Sequence, residues 1–205
     1  MRDMGDYTRG AKEIADRSYK IVSQKITGDL PEDRIIKRAV IATGDFSIKD
    51  LIVFKNNPIN AGKDAIKRGY KAYCDVEMIK AGINRYKVKC VLSSDYSEDD
   101  KNTRTASGFY KNKDRLDGSI IIIGNAPSAA IAVSDMVKEG IIKPVLIIAT
   151  PVGFVNAAES KEYIRSLDIP SITTVGTRGG STMAVAIFNG LIDQAIEDER
   201  PYRTI

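Results

Sequence analysis

Histidine is missing from the 205 residues altogether, and cysteine occurs only twice, at Cys74 and Cys90. Without imidazole the chain lacks the side chain whose ordinary pKa suits proton transfer near neutrality, so any acid-base chemistry falls to another group. Two thiols and no imidazole also argue against zinc and haem sites of the common kinds. The two cysteines lie in separate apolar, strand-like segments without a CxxC pairing, which reads as buried free thiols.

Long hydrophobic runs are also lacking. None approaches the roughly 20 residues that span a membrane, and the start, Met1 to Asp6, has no signal-peptide stretch, so a soluble, cytoplasmic protein is expected. Charge of one sign is scarce: 31 basic against 27 acidic residues leave +4, which suits an anionic ligand but is too evenly spread for nucleic acid. With 43% hydrophobic residues the chain fits a single domain, 1–205, with an N-terminal helical arm over about 8–68.

What the chain does have is a repeating pattern. Thr8 to Gln24 carries apolar residues at helical spacing, and Pro31 opens a second helix running to about Thr43. A short apolar segment, Leu51 to Phe54, follows, and then a helix from Ile59 to Arg68. Beyond it, five units of apolar strand, turn and helix succeed one another, with strands at Lys71 to Cys74, Val88 to Leu92, Ile120 to Ile123, Pro144 to Ala149 and Ser171 to Val175. Four consecutive isoleucines suit a strand covered on both faces, as in parallel sheets flanked by helices. The expectation is a flavodoxin-like, doubly wound α/β fold with a five-stranded parallel sheet in the order 2-1-3-4-5 and extra N-terminal helices. Asp75, Ser93, Asn125, Pro151 and Arg178 then fall in loops at the carboxyl edge of the sheet, where such folds bind ligands.

Four segments invite chemistry. Gly176-Thr177-Arg178-Gly179-Gly180-Ser181 brings free backbone N–H groups and a guanidinium to a helix start, an arrangement for a carboxylate or phosphate, although it has neither P-loop nor GxGxxG spacing. Pro151 to Val155 sets an aromatic after a buried strand, as one wall of an apolar pocket, while Glu159 and Lys161 behind it read as a solvated helix face. Gly124 to Ser128 links the isoleucine strand to its helix, and Thr103-Arg104-Thr105 adds another arginine among small residues. No nucleophilic triad or GxSxG elbow is present.

Seven short segments, in order, resemble the precorrin-8X methylmutase family over nearly the whole chain. They are Asp16 to Tyr19, Thr43 to Phe46, Asp75 to Ile83, Thr103 to Thr105, Gly124 to Ala129, Pro151 to Val155 with Glu159 to Lys161, and Arg178 to Ser181. The resemblance implies an isomerase of cobalamin biosynthesis that moves a methyl group between neighbouring ring carbons of precorrin-8 or its cobalt form, giving hydrogenobyrinate or cobyrinate. It implies a sigmatropic shift assisted by protonation, no organic cofactor, no metal site of the protein's own, and a homodimer with its sites at the interface. The substrate-binding residues it implies are Arg17, Ser18, Thr103, Arg104, Gly124, Asn125, Ala126, Pro127, Ser128, Val152, Gly153, Phe154, Arg178, Gly179, Gly180 and Ser181. Guanidinium forks suit the ligand's peripheral carboxylates and small, apolar walls suit its ring.

The sequence departs from the family at one decisive place. Family members carry a histidine four residues before the Asp-Phe pair, read as the acid that assists the shift, and here that position is Ile41. An isoleucine donates no proton. The catalytic positions are then Ile41, as the place of the lost acid, with Thr43 and Asp45 beside it. Three readings stay open: turnover with another donor, for which Ser18, Tyr19, Thr43 and Asp45 are candidates; a corrinoid-binding or carrier homologue without turnover; or service to a related tetrapyrrole or other anion. A flavin- or nucleotide-binding module is a further alternative, on fold analogy alone.

Overall fold

The structure, a computed structural model, describes residues 8–92 and 102–199. Its strands are β1 (Ile52–Lys55), β2 (Ala72–Cys74), β3 (Val88–Cys90), β4 (Ile120–Ile123), β5 (Leu146–Ala149) and β6 (Ser171–Thr174). Its α-helices are α1 (Arg9–Lys25), α2 (Pro31–Thr43), α3 (Pro58–Lys67), α4 (Glu77–Gly82), α5 (Arg104–Lys111), α6 (Pro127–Lys138), α7 (Ala157–Ser166) and α8 (Ser181–Glu199). The strands form one sheet in the order β1-β6-β5-β4-β2-β3, parallel except for β1, which runs antiparallel to β6.

The expected five-stranded, all-parallel sheet is corrected to six strands in a mixed sheet: β1 adds at one edge, antiparallel to β6, while the five parallel strands run β3-β2-β4-β5-β6, which is 2-1-3-4-5 when counted from β2. The additional strand is the short apolar segment within the stretch read as a helical arm. It pairs Ile52 with Thr174 and Lys55 with Ser171. No repeating strand-helix unit leads into it, so the pattern that marks parallel strands does not mark this one. Of its four residues only Ile52 is buried, as suits a strand at a sheet edge.

Alternation along β4 divides the interior in two. Ile120 and Ile122 face a core built with Ile35 and Ala39 of α2, Ile59 of α3, Ile79 of α4 and Ile187 and Leu191 of α8. Ile121 and Ile123 face the other core, with Phe109 of α5, Val133 and Met136 of α6 and Ile164 of α7. All four isoleucines are fully buried, because successive side chains point to opposite faces and both are covered. Helix α1 packs outside this frame, against α2. No helix among the described residues is long and apolar enough to cross a membrane.

Two glycines let this frame close around the carboxyl edge. A Cβ at Gly124 would stand 2.7 Å from Ser181 Cα, so the end of β4 and the start of α8 approach only because that atom is absent. Gly44 ends α2 in the left-handed conformation (φ 67°) and returns its N–H to Val40 O at 2.9 Å.

Candidate active site at the carboxyl edge of the sheet

The loop after β4 is held from below. Asp75, the first residue after β2, is fully buried, and its carboxylate accepts N–H groups from Gly124 (3.2 Å), Asn125 (2.9 Å) and Ala126 (2.9 Å). Ala126 is the residue from which α6 starts, so the carboxylate fixes the turn that leads into the helix. Burial pushes the Asp75 carboxyl above its ordinary range, against the pull of the three N–H donors.

The loops after β5 and β6 are stitched together. Gly180 N donates to Thr150 O at 2.7 Å, Gly153 N to Thr177 O at 3.0 Å, and the Thr150 hydroxyl to Gly180 O at 3.2 Å. A Cβ at Gly179 would overlap the Thr150 carbonyl. The Arg178 guanidinium reaches out of this seam to the end of α2, where it forms an ion pair with Asp45 and donates to Ser47 Oγ at 2.6 Å. Next to the β4 loop, Thr103 caps α5, and its hydroxyl lies 2.6 Å from that of Ser128.

Gly124 to Ser128, Thr103, Arg104, Val152 to Phe154, Arg178 to Ser181 and Asp45 therefore stand along one edge. The starts of α5, α6, α7 and α8 point there too, presenting the positive ends of four helices. Phe154 is 96% exposed and Val155 76%, with Met78 and Val175 also uncovered after β2 and β6. The edge thus joins cationic groups to apolar surface. Among the described residues no group of metal-ligating side chains is close enough to hold an ion.

Other expected site residues lie on α1 and α2. Arg17 is exposed on α1, and the Ser18 hydroxyl returns to Ile14 O at 2.9 Å. Their neighbour Tyr19 lines a cleft with Arg34, Gln194 and Glu197, towards the far end of α8. Ile41 is half-buried against the core, and the Thr43 hydroxyl donates to Ala39 O at 2.8 Å. Ser93 lies outside the described residues.

Lys161 overturns its sequence reading. It is fully buried rather than solvated, because the inward face of α7 is Ala157, Ser160, Lys161 and Ile164. That spacing, i, i+3, i+4 and i+7, was the available signal. Asp75 also shapes this edge by holding the loop after β4, and its sign is a lone carboxylate directly after a buried strand.

The family profile described as precorrin-8X methylmutase matches residues 13–194. The chain belongs to this family. It is 43% identical to a cobalt-precorrin-8 methylmutase of Methanocaldococcus jannaschii, covering 94% of this chain and 98% of that one. It is 33% identical to a precorrin-8X methylmutase of Pseudomonas aeruginosa, covering 92% and 98%. A crystal structure of precorrin-8X methylmutase from Thermus thermophilus superposes with a TM-score of 0.82 at 32% identity, covering 91% of this chain and 99% of that one. Methylmutases are isomerases, and the α/β frame described above is the one this chain shares with the Thermus enzyme.

Proposed function

We propose that the protein isomerises precorrin-8 or its cobalt form by methyl migration, in the cytoplasm, and that the carboxyl edge of the sheet is its substrate site. Family membership carries the reaction, and the meeting of Arg178, Asn125 to Ser128 and the Phe154 loop at one edge supports the site. Arg104 and Arg178 bind peripheral carboxylates, the helix starts add positive potential, and Phe154 and Val152 cover the ring. The exposed apolar residues at that edge also suit a homodimer in which a second copy closes the site, bringing in Arg17 and Ser18 from α1. Ile41 contributes no proton, and Thr43 already donates within its own helix, so positioning of the macrocycle carries the rate here.

Incubating the protein with cobalt-precorrin-8 and following the visible spectrum tests this. Conversion to the cobyrinate spectrum is expected. Tight binding without conversion would leave a corrinoid carrier, and failure to bind would end the proposal.

A further inference from the structure

Lys161 is a buried cation with no carboxylate partner among the described residues. Its ammonium donates to Arg178 O at 2.9 Å and Thr174 Oγ1 at 3.1 Å, and the Thr174 hydroxyl donates to the same Arg178 oxygen at 2.8 Å. The charges around it are taken. On α7, Arg165 pairs with Glu162; on the β6 loop, Arg178 pairs with Asp45; on β1, Lys55 donates to the carbonyls of Arg165 and Leu167. Among the described residues no acidic side chain pairs with Lys161, and burial with the like charge of Arg165 lowers it to about 8. Taking an ammonium out of water is costly unless an opposite charge approaches it, and two oxygen dipoles compensate only in part.

The loop that Lys161 holds is the one that presents Arg178, Gly179 and Gly180. We propose that Lys161 is a positioning residue that sets this loop for the ligand, and that a ligand carboxylate seated on the loop supplies the missing counter-charge. The inference rests on the proposed substrate class. An anion there raises the proton affinity of Lys161, so binding takes up a proton near pH 8, up to ~0.5 per site, and affinity falls roughly tenfold between pH 7 and pH 9. Loop support alone would produce neither effect.

The test is calorimetry of hydrogenobyrinate binding to the full chain at pH 8 in two buffers of different ionisation heat, with titrations at pH 7 and pH 9. Wild-type protein should take up protons and show the affinity loss. Lys161→Met, checked for folding by circular dichroism, should bind more weakly at pH 7, take up no proton, and show a KM for cobalt-precorrin-8 that is flat with pH. Should that variant not fold, Thr174→Val replaces it and should move the uptake to lower pH. Binding without proton uptake in the wild type, or uptake that survives in Lys161→Met or stays unmoved in Thr174→Val, overturns the inference while leaving the substrate class standing. No binding by the wild type defeats the substrate class, and this inference with it.

Discussion

Arg178 and Asp45, 133 residues apart in the chain, form an ion pair that ties the glycine loop after β6 to the end of α2. The Asp45 carboxylate also accepts Ser47 N–H at 2.8 Å, capping the turn of 3-10 helix at Phe46–Asp50. In the free protein, then, an arginine of the proposed site is occupied by a carboxylate of the chain itself, in the way a ligand carboxylate would occupy it. With both side chains roughly 40% exposed the pair contributes under about 1 kcal/mol to folding. Asp45→Asn keeps an oxygen for the cap but removes the competing charge, and a several-fold tighter Kd for hydrogenobyrinate is expected in a fluorescence titration. Arg178→Ala should weaken the same Kd at least tenfold with little change in Tm.

Asp75 places a different demand on the fold. Replacing it with Ala leaves three N–H groups, of Gly124, Asn125 and Ala126, without their acceptor beneath the loop. A loss of about 3 kcal/mol is expected from urea unfolding, since unsatisfied donors cost more than the bonds return. Asp75→Asn retains one accepting oxygen and should lose less. Ligand affinity should fall in both, because the β4 loop then lacks its fixed shape.

These two carboxylates show where the sequence was legible. Asp45 and Asp75 each lie in segments that also carry the family resemblance, and the strand-helix repeat alone places Asp75, Asn125 and Arg178 on one edge. What periodicity could not supply was partnership between distant segments. Nothing in Thr43-Gly44-Asp45-Phe46 announces Arg178, and nothing in Ile52 to Lys55 announces antiparallel pairing with β6. Lys161 departs from its sequence expectation for a related reason: charge suggests solvent, whereas its place on the apolar face of α7 decides burial.

That burial makes a prediction for stability as well as binding. The Lys161 ammonium sits at about 8 in the folded chain against 10.5 ordinarily, so between those values the unfolded chain binds more protons. Folding is then penalised below pH 8, and the penalty fades as pH rises to 10.5. Its full size is about 3 kcal/mol. Wild-type stability relative to Lys161→Met should therefore increase from pH 7.5 to 10, read from urea midpoints of the two proteins. A difference that does not change with pH would contradict the depressed lysine.

Ile41→His returns an acid to the position where the family carries one. The side chain is half-buried on α2, two residues before Thr43, so an imidazole replaces apolar contacts and a loss of about 1 kcal/mol in stability is expected. General acid assistance contributes on the order of 100-fold or more when well placed. A kcat increase of at least tenfold is expected below pH 6.5, where the imidazole is protonated, fading above it. Equal rates for the two proteins at every pH would mean that the position does not face the migrating centre.

Phe154 separates an exposed surface from a working one. At 96% exposure its ring contributes almost nothing to the isolated fold, so Phe154→Asp should leave Tm within about 2 °C of the wild type. An aromatic that open, beside Val155 at 76%, costs solubility unless something covers it. If a second copy and the macrocycle are what cover it, the substitution places a charge in that contact. Sedimentation should then show a shift from dimer to monomer, and the Kd for hydrogenobyrinate should weaken together with it. Loss of ligand affinity with the dimer intact would assign Phe154 to the ring alone, and no change in either would remove it from the site.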